Sequence, residues 1–124
     1  MEQNILLICE SIIVEQGTGK ISLVGIFDNL ASPNVPAICP KFGIFTRFEG
    51  GTGPHDHKIV ISHQDSGEKI AELPGKINFG VNGKAQNIGN FIGLPFPKFG
   101  KYKIGIYVDD KPQPIGAYLE VVKI

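Results

Sequence analysis

Gly100-Lys101-Tyr102-Lys103-Ile104-Gly105-Ile106-Tyr107-Val108, the breaker run Asp109-Asp110-Lys111-Pro112-Gln113-Pro114, and the return Ile115-Gly116-Ala117-Tyr118-Leu119-Glu120-Val121-Val122 decide the fold. An extended chain sends successive side chains to opposite faces, so Tyr102, Ile104, Ile106 and Val108 share one face. Ile115, Ala117, Leu119 and Val121 share one face of the returning run. Two period-two runs flanking a proline-bearing turn predict an antiparallel hairpin, half-buried against a core.

The same alternation recurs toward the N-terminus. Residues 5–14 are apolar on both faces, which predicts a central strand covered above and below, or an edge buried by a partner. Residues 15–20 read as a turn and 21–30 as the next strand; a turn centred between Gly17 and Thr18 sets Glu10 opposite Gly25. A proline-rich loop (31–36) leads to a strand over 37–49, with Phe42, Ile44, Thr46 and Phe48 on one face. Gly50-Gly51-Thr52-Gly53-Pro54 reads as a surface loop. Strands follow over 57–64, 69–73, 76–81 and 85–94, the middle two split by Pro74-Gly75. The expectation is an all-β fold, an antiparallel two-sheet β-sandwich of eight or nine strands, with a closed β-barrel as the alternative.

With 124 residues, 42% of them hydrophobic, the chain is long enough for a single domain over 1–124 with a real core. Sixteen glycines and nine prolines, about 20% of the chain against an average of roughly 12%, are scattered between apolar runs and act as turn punctuation. Twelve basic and twelve acidic residues balance to zero formal charge, which disfavours nucleic acid as a partner. The N-terminal Met1-Glu2-Gln3-Asn4 lacks the positive region of a secretory signal, and no run approaches the roughly 20 apolar residues of a membrane span. The expectation is a cytoplasmic protein without membrane contact, in which Cys9 and Cys39 stay reduced.

Two motifs carry a resemblance. Ile8-Cys9-Glu10 is followed, after a glycine-bearing turn, by Leu23-Val24-Gly25-Ile26-Phe27-Asp28-Asn29-Leu30 and a proline-rich loop. Phe99-Gly100-Lys101-Tyr102 opens the penultimate strand, which ends at Val108-Asp109-Asp110. Their order resembles a family of small prokaryotic all-β proteins catalogued as a domain of unknown function, over nearly the whole chain. The glycine–aromatic strand opening also recurs in immunoglobulin-like sandwiches. The resemblance implies a compact sandwich and brings no activity or catalytic residue with it.

Candidate chemistry is sparse. His55, Asp56, His57, His63 and Asp65 are the only cluster of metal-ligand types. Along a strand His57 and His63 are separated by roughly 20 Å, and His55 with His57 lacks further ligands, so neither metal nor cofactor is expected. Glu10 stands out in an apolar run. A carboxylate there is either buried and paired, with Lys20, Lys41 or Arg47 as possible partners, or aimed at a pocket. No Gly-x-Ser-x-Gly elbow is present, and Gly50-Gly51-Thr52-Gly53 lacks the Lys-Ser/Thr and the helix of a phosphate loop.

The segment Phe91-Ile92-Gly93-Leu94-Pro95-Phe96-Pro97-Lys98-Phe99 is the candidate contact surface, with Phe91, Leu94, Phe96 and Phe99 as interface residues. Its rings could equally fold inward and plug one end of the sandwich. The leading expectation is thus a non-catalytic β-sandwich module that binds another protein or self-associates as a homo-oligomer. The alternative is a small-ligand-binding protein or enzyme with a site around Glu10 or the His55/His57 loop.

Overall fold

Thirteen residues, Glu2–Val14, form β1 around the apolar runs Ile5–Cys9 and Ile12–Val14, rich in residues that favour strands. The computed structural model describes residues 1–124 and places nine further strands after it: β2 (Ile21–Ile26), β3 (Asn29–Ser32), β4 (Ala37–Glu49), β5 (Gly53–His63), β6 (Lys69–Phe79), β7 (Lys84–Phe96), β8 (Gly100–Val108), β9 (Lys111–Pro112) and β10 (Ala117–Lys123). They build two sheets, ordered β2-β1-β4-β7 and β3-β10-β8-β5-β6, with the two-residue β9 appended to β8. The result is the expected two-sheet sandwich. β6 and β7 lie against each other at one side without sharing a ladder, so the barrel alternative does not close.

The terminal hairpin follows its alternation. Tyr102, Ile104, Ile106 and Val108 are all buried, as are Leu119 and Val121 across from them. β10 begins at Ala117 and pairs with β8 from Ala117↔Ile104 to Val121↔Gly100. Ile115 therefore lies before the strand. Asp109 and Asp110 both hold positive φ (50° and 64°), which turns the chain within two residues and folds Lys111–Pro112 back on Tyr107 and Val108.

Three sequence expectations need correction. Residues 21–30 are not one strand: β2 ends at Ile26, Phe27 donates its N–H to Ile8 O, and the Asp28 carbonyl accepts from Glu120 N in the opposite sheet. The chain changes sheets at Phe27–Asp28, and β3 then runs parallel to β10, not antiparallel. Pro74 does not split β6, because β6 is an edge strand on which a missing N–H costs no ladder bond. The strand expected over 57–64 also starts earlier, at Gly53.

Between the sheets, Phe42 stacks on Phe91 with centroids 4.9 Å apart and approaches Phe96 at 6.1 Å; Phe96 meets Tyr102 of the other sheet edge-on at 5.0 Å. The Tyr102 hydroxyl donates to Lys98 O (2.8 Å) and accepts from Lys98 N (2.9 Å), so the buried ring keeps its polar end satisfied and pins the entry to β8. Gly89 of β7 lies close against the facing sheet. A Cβ there would stand 2.6 Å from Ile59 Cδ1 and 3.1 Å from Leu73 Cδ2. Gly89→Val should lower unfolding stability by about 1–3 kcal/mol through overpacking, read as a lower urea midpoint. An unchanged midpoint would show that the sheets have slack at this point.

Candidate functional site

β1 is shared unequally between its neighbours. Its ladder with β4 runs from Glu2↔Glu49 to Cys9↔Gly43 and stops, while its ladder with β2 continues to Val14↔Ile21. β4 extends the other way, back to Ala37, paired with β7 alone. At the point of divergence Ile12 leans over the bare Gly43, where a Cβ would be 2.6 Å from Ile12 Cδ1. The Cys9 thiol donates weakly to Ser11 O (3.4 Å) and Gly43 O (3.8 Å), filling the end of the broken ladder. Pro40 is tolerated in β4 where no β1 neighbour faces it, and the β4–β7 register passes over it between Cys39↔Leu94 and Lys41↔Ile92.

The splay opens a cleft of 460 Å³, within the usual size of a small-molecule site. Glu10 and Ser11 line it from β1, Cys39 and Lys41 from β4, with Phe27 and Leu30 as its apolar part. Glu10 lies opposite Gly25, the register expected from the turn, and its Cδ would be 3.0 Å from a Cβ at that glycine. Gly25 has φ 71°, a conformation that also favours glycine. Of the two arrangements open to this carboxylate, the structure takes the second: Glu10 is exposed to the cleft and forms no ion pair with Lys20, Lys41 or Arg47. Both cysteines are free thiols. Burial pushes the Cys39 thiol up, with the Glu10 charge adding to it, and burial likewise raises Cys9. Neither sulfur is activated as a nucleophile.

The three histidines are dispersed, each with its own partner. His55 Nδ1 pairs with Asp109 Oδ2 at 2.6 Å and Nε2 with Thr52 O at 2.9 Å, so the Asp109 hydrogen bond raises its pKa. His63 lies between Ser66 Oγ (2.8 Å) and Phe99 O (3.0 Å), close under Gly100, where a Cβ would be 3.3 Å from Nε2. His57 is 2% exposed and bridges the sheets to Thr46 Oγ1 at 3.1 Å, while its Nδ1 has no partner. No group of three His, Cys, Asp or Glu side chains converges to hold a metal ion.

The candidate interface segment divides. Phe91 and Phe96 point into the sandwich and belong to its core, the inward arrangement of the two that the sequence allows. Their direction is set by pairing: Phe91 lies opposite the inward Phe42, and Phe96 opposite Ala37. Leu94 and Phe99 are half-buried and pack on the same core. The exposed apolar surface lies elsewhere, on the outer face of the four-stranded sheet. There a row begins at Leu7 of β1, 37% exposed, while Phe45, opposite it on β4, is buried under the Arg47 guanidinium. Val24 and Ile26, 48% and 60% exposed, continue the row onto β2. Of the two expectations for residues 5–14, cover on both faces does not hold, since Leu7, Ile13 and Val14 are exposed.

Burial pushes His57 down to about 4 from its ordinary 6.5. The unfolded chain therefore takes up a proton on acidification before the folded chain does. Stability is full above pH 6.5 and falls through the window down to about 4, by about 2 kcal/mol at pH 5 from this group alone. The raised pKa of His55 acts in the opposite direction, adding stability as pH falls. A His57→Gln variant should lose much less stability than the parent between pH 7 and pH 5 in urea titrations. Parallel curves for the two proteins would place the His57 proton uptake outside this window.

No curated protein matches the chain. A family model does match it, over residues 4–116, a span that takes in every strand up to β9, the splay between β1 and β4 and all three histidines. The chain belongs to DUF6941, a family of unknown function.

Proposed function

We propose that the protein is a non-catalytic binding module that self-associates through the outer face of its four-stranded sheet. The observation that carries this reading is the exposed group of Leu7 on β1 with Val24 and Ile26 on β2. A second copy is the occupant that fits. The chain has zero formal net charge, so identical copies do not repel, and an apolar face can pair with itself about a twofold axis. Free thiols support a cytoplasmic setting. A second reading, a small-ligand site, is favoured by one feature: the unpaired Glu10 carboxylate facing the 460 Å³ cleft.

Sedimentation equilibrium should return a mass above 13.4 kDa that falls on dilution. Ile26→Lys, at an exposed position, should weaken association by about tenfold or more and leave the melting temperature unchanged. A concentration-independent mass of 13.4 kDa for the parent refutes self-association.

A further inference from the structure

The chain has one arginine, Arg47, and it makes no ion pair. It stands at the margin of the outer face, opposite Gln86 of β7, with its guanidinium carbon 5.7 Å from the centroid of the Phe45 ring. Gln86 accepts a hydrogen bond from Arg47 Nη2 at 3.3 Å, so the guanidinium is held from two sides while its other N–H groups remain free. An unpaired arginine fixed in this way is an oxyanion receptor in wait of its anion.

The surroundings complete it. Where the chain passes from β6 to β7, between one sheet and the other, a cleft of 420 Å³ is lined by Arg47, Asn78, Asn82, Lys84 and Gln86, with no carboxylate among its lining residues. Asn82 Oδ1 accepts from Lys84 N at 3.1 Å, as Gln86 Oε1 accepts from Arg47. The acceptor ends of both amides are thus engaged within the chain, and their NH₂ groups are left as donors. Lys84 Nζ has one distant partner, Glu49 Oε1 at 3.7 Å, outside the cleft lining.

We propose that this corner cleft binds a small ligand carrying an oxyanion, a phosphate or a carboxylate. Arg47 takes the anion in a forked pair of hydrogen bonds, Lys84 adds the second positive charge, and the amides of Asn78, Asn82 and Gln86 donate to the rest of the ligand. The cleft is larger than a bare phosphate needs, which leaves room for a hydroxyl- or carbonyl-bearing remainder.

The test is an NMR titration of the full chain with inorganic phosphate in one arm and succinate in the other, at ionic strength held constant with sodium chloride. The expected result is a saturable shift of the Asn78, Asn82 and Gln86 side-chain amides with at least one of the two anions, and the tighter arm identifies the anion class. Arg47→Gln should weaken that binding by about tenfold or more with an unchanged amide fingerprint elsewhere. If Arg47→Gln perturbs the fold, Lys84→Gln at its exposed position serves, with a weakening of roughly threefold or more. Absence of saturation with both anions, or binding unaltered in these variants, overturns the proposal. Because Ile26→Lys lies away from this cleft, it should leave anion binding intact whether or not it alters the sedimented mass.

Discussion

Everything distinctive in this sandwich follows from β1 having two neighbours and being able to serve only one of them along its full second half. Up to Cys9 it pairs with β4; from Cys9 onward it pairs with β2, and the right-handed twist of the sheet and the Ile12 side chain over Gly43 carry it away from β4. β4 continues without it toward β7, and the lost ladder is replaced by thiol contacts and a proline that needs no partner. The cleft around Glu10 is the space this separation leaves. Had Gly43 carried a side chain, Ile12 could not occupy its place and the two strands would meet differently.

The core is simpler. Two inward rows, Phe42-Ile44-Phe48 on β4 and Tyr102-Ile104-Ile106-Val108 on β8, face each other across the sandwich with His57 and Thr46 as the polar exception. That exception is tolerated because the imidazole stays neutral and shares a hydrogen bond. Its second nitrogen remains unpaired, so the pair is held at some cost to stability. The neighbouring His55 has the opposite environment, exposed and tied to a carboxylate that also accepts from Asp56 N. Two residues apart on one strand, the two rings carry pKa shifts of opposite sign.

Alternation and turn chemistry made the strands legible, and with them the sandwich. The symmetric turn over residues 15–20 even gave the Glu10–Gly25 register, because hairpin geometry is local. What is not local stayed hidden. The sheet change at Phe27–Asp28 depends on a bond to Glu120, about ninety residues away, and looks from sequence like a continuing strand. The inward turn of Phe91 and Phe96 depends on which β4 residues they oppose. Pro74 is innocuous only because β6 has no outer neighbour. Glu10 was recognisable as an anomaly from its apolar surroundings. From the chain order Arg47 reads only as a partner for it, since nothing there brings residues 47, 78 and 82–86 to one corner.

Gly25 has a further consequence for how copies of this chain behave in a crowded setting. β2 is the free margin of its sheet, and an uninterrupted margin of backbone donors and acceptors is a template on which further strands can be laid without limit. Gly25, the fifth of its six residues, holds a left-handed conformation beneath the Glu10 carboxylate. A regular strand laid along this margin meets a turned backbone there, which makes an extended pairing less regular. A substitution that gave this position an extended backbone would leave β2 a straighter margin for strand addition.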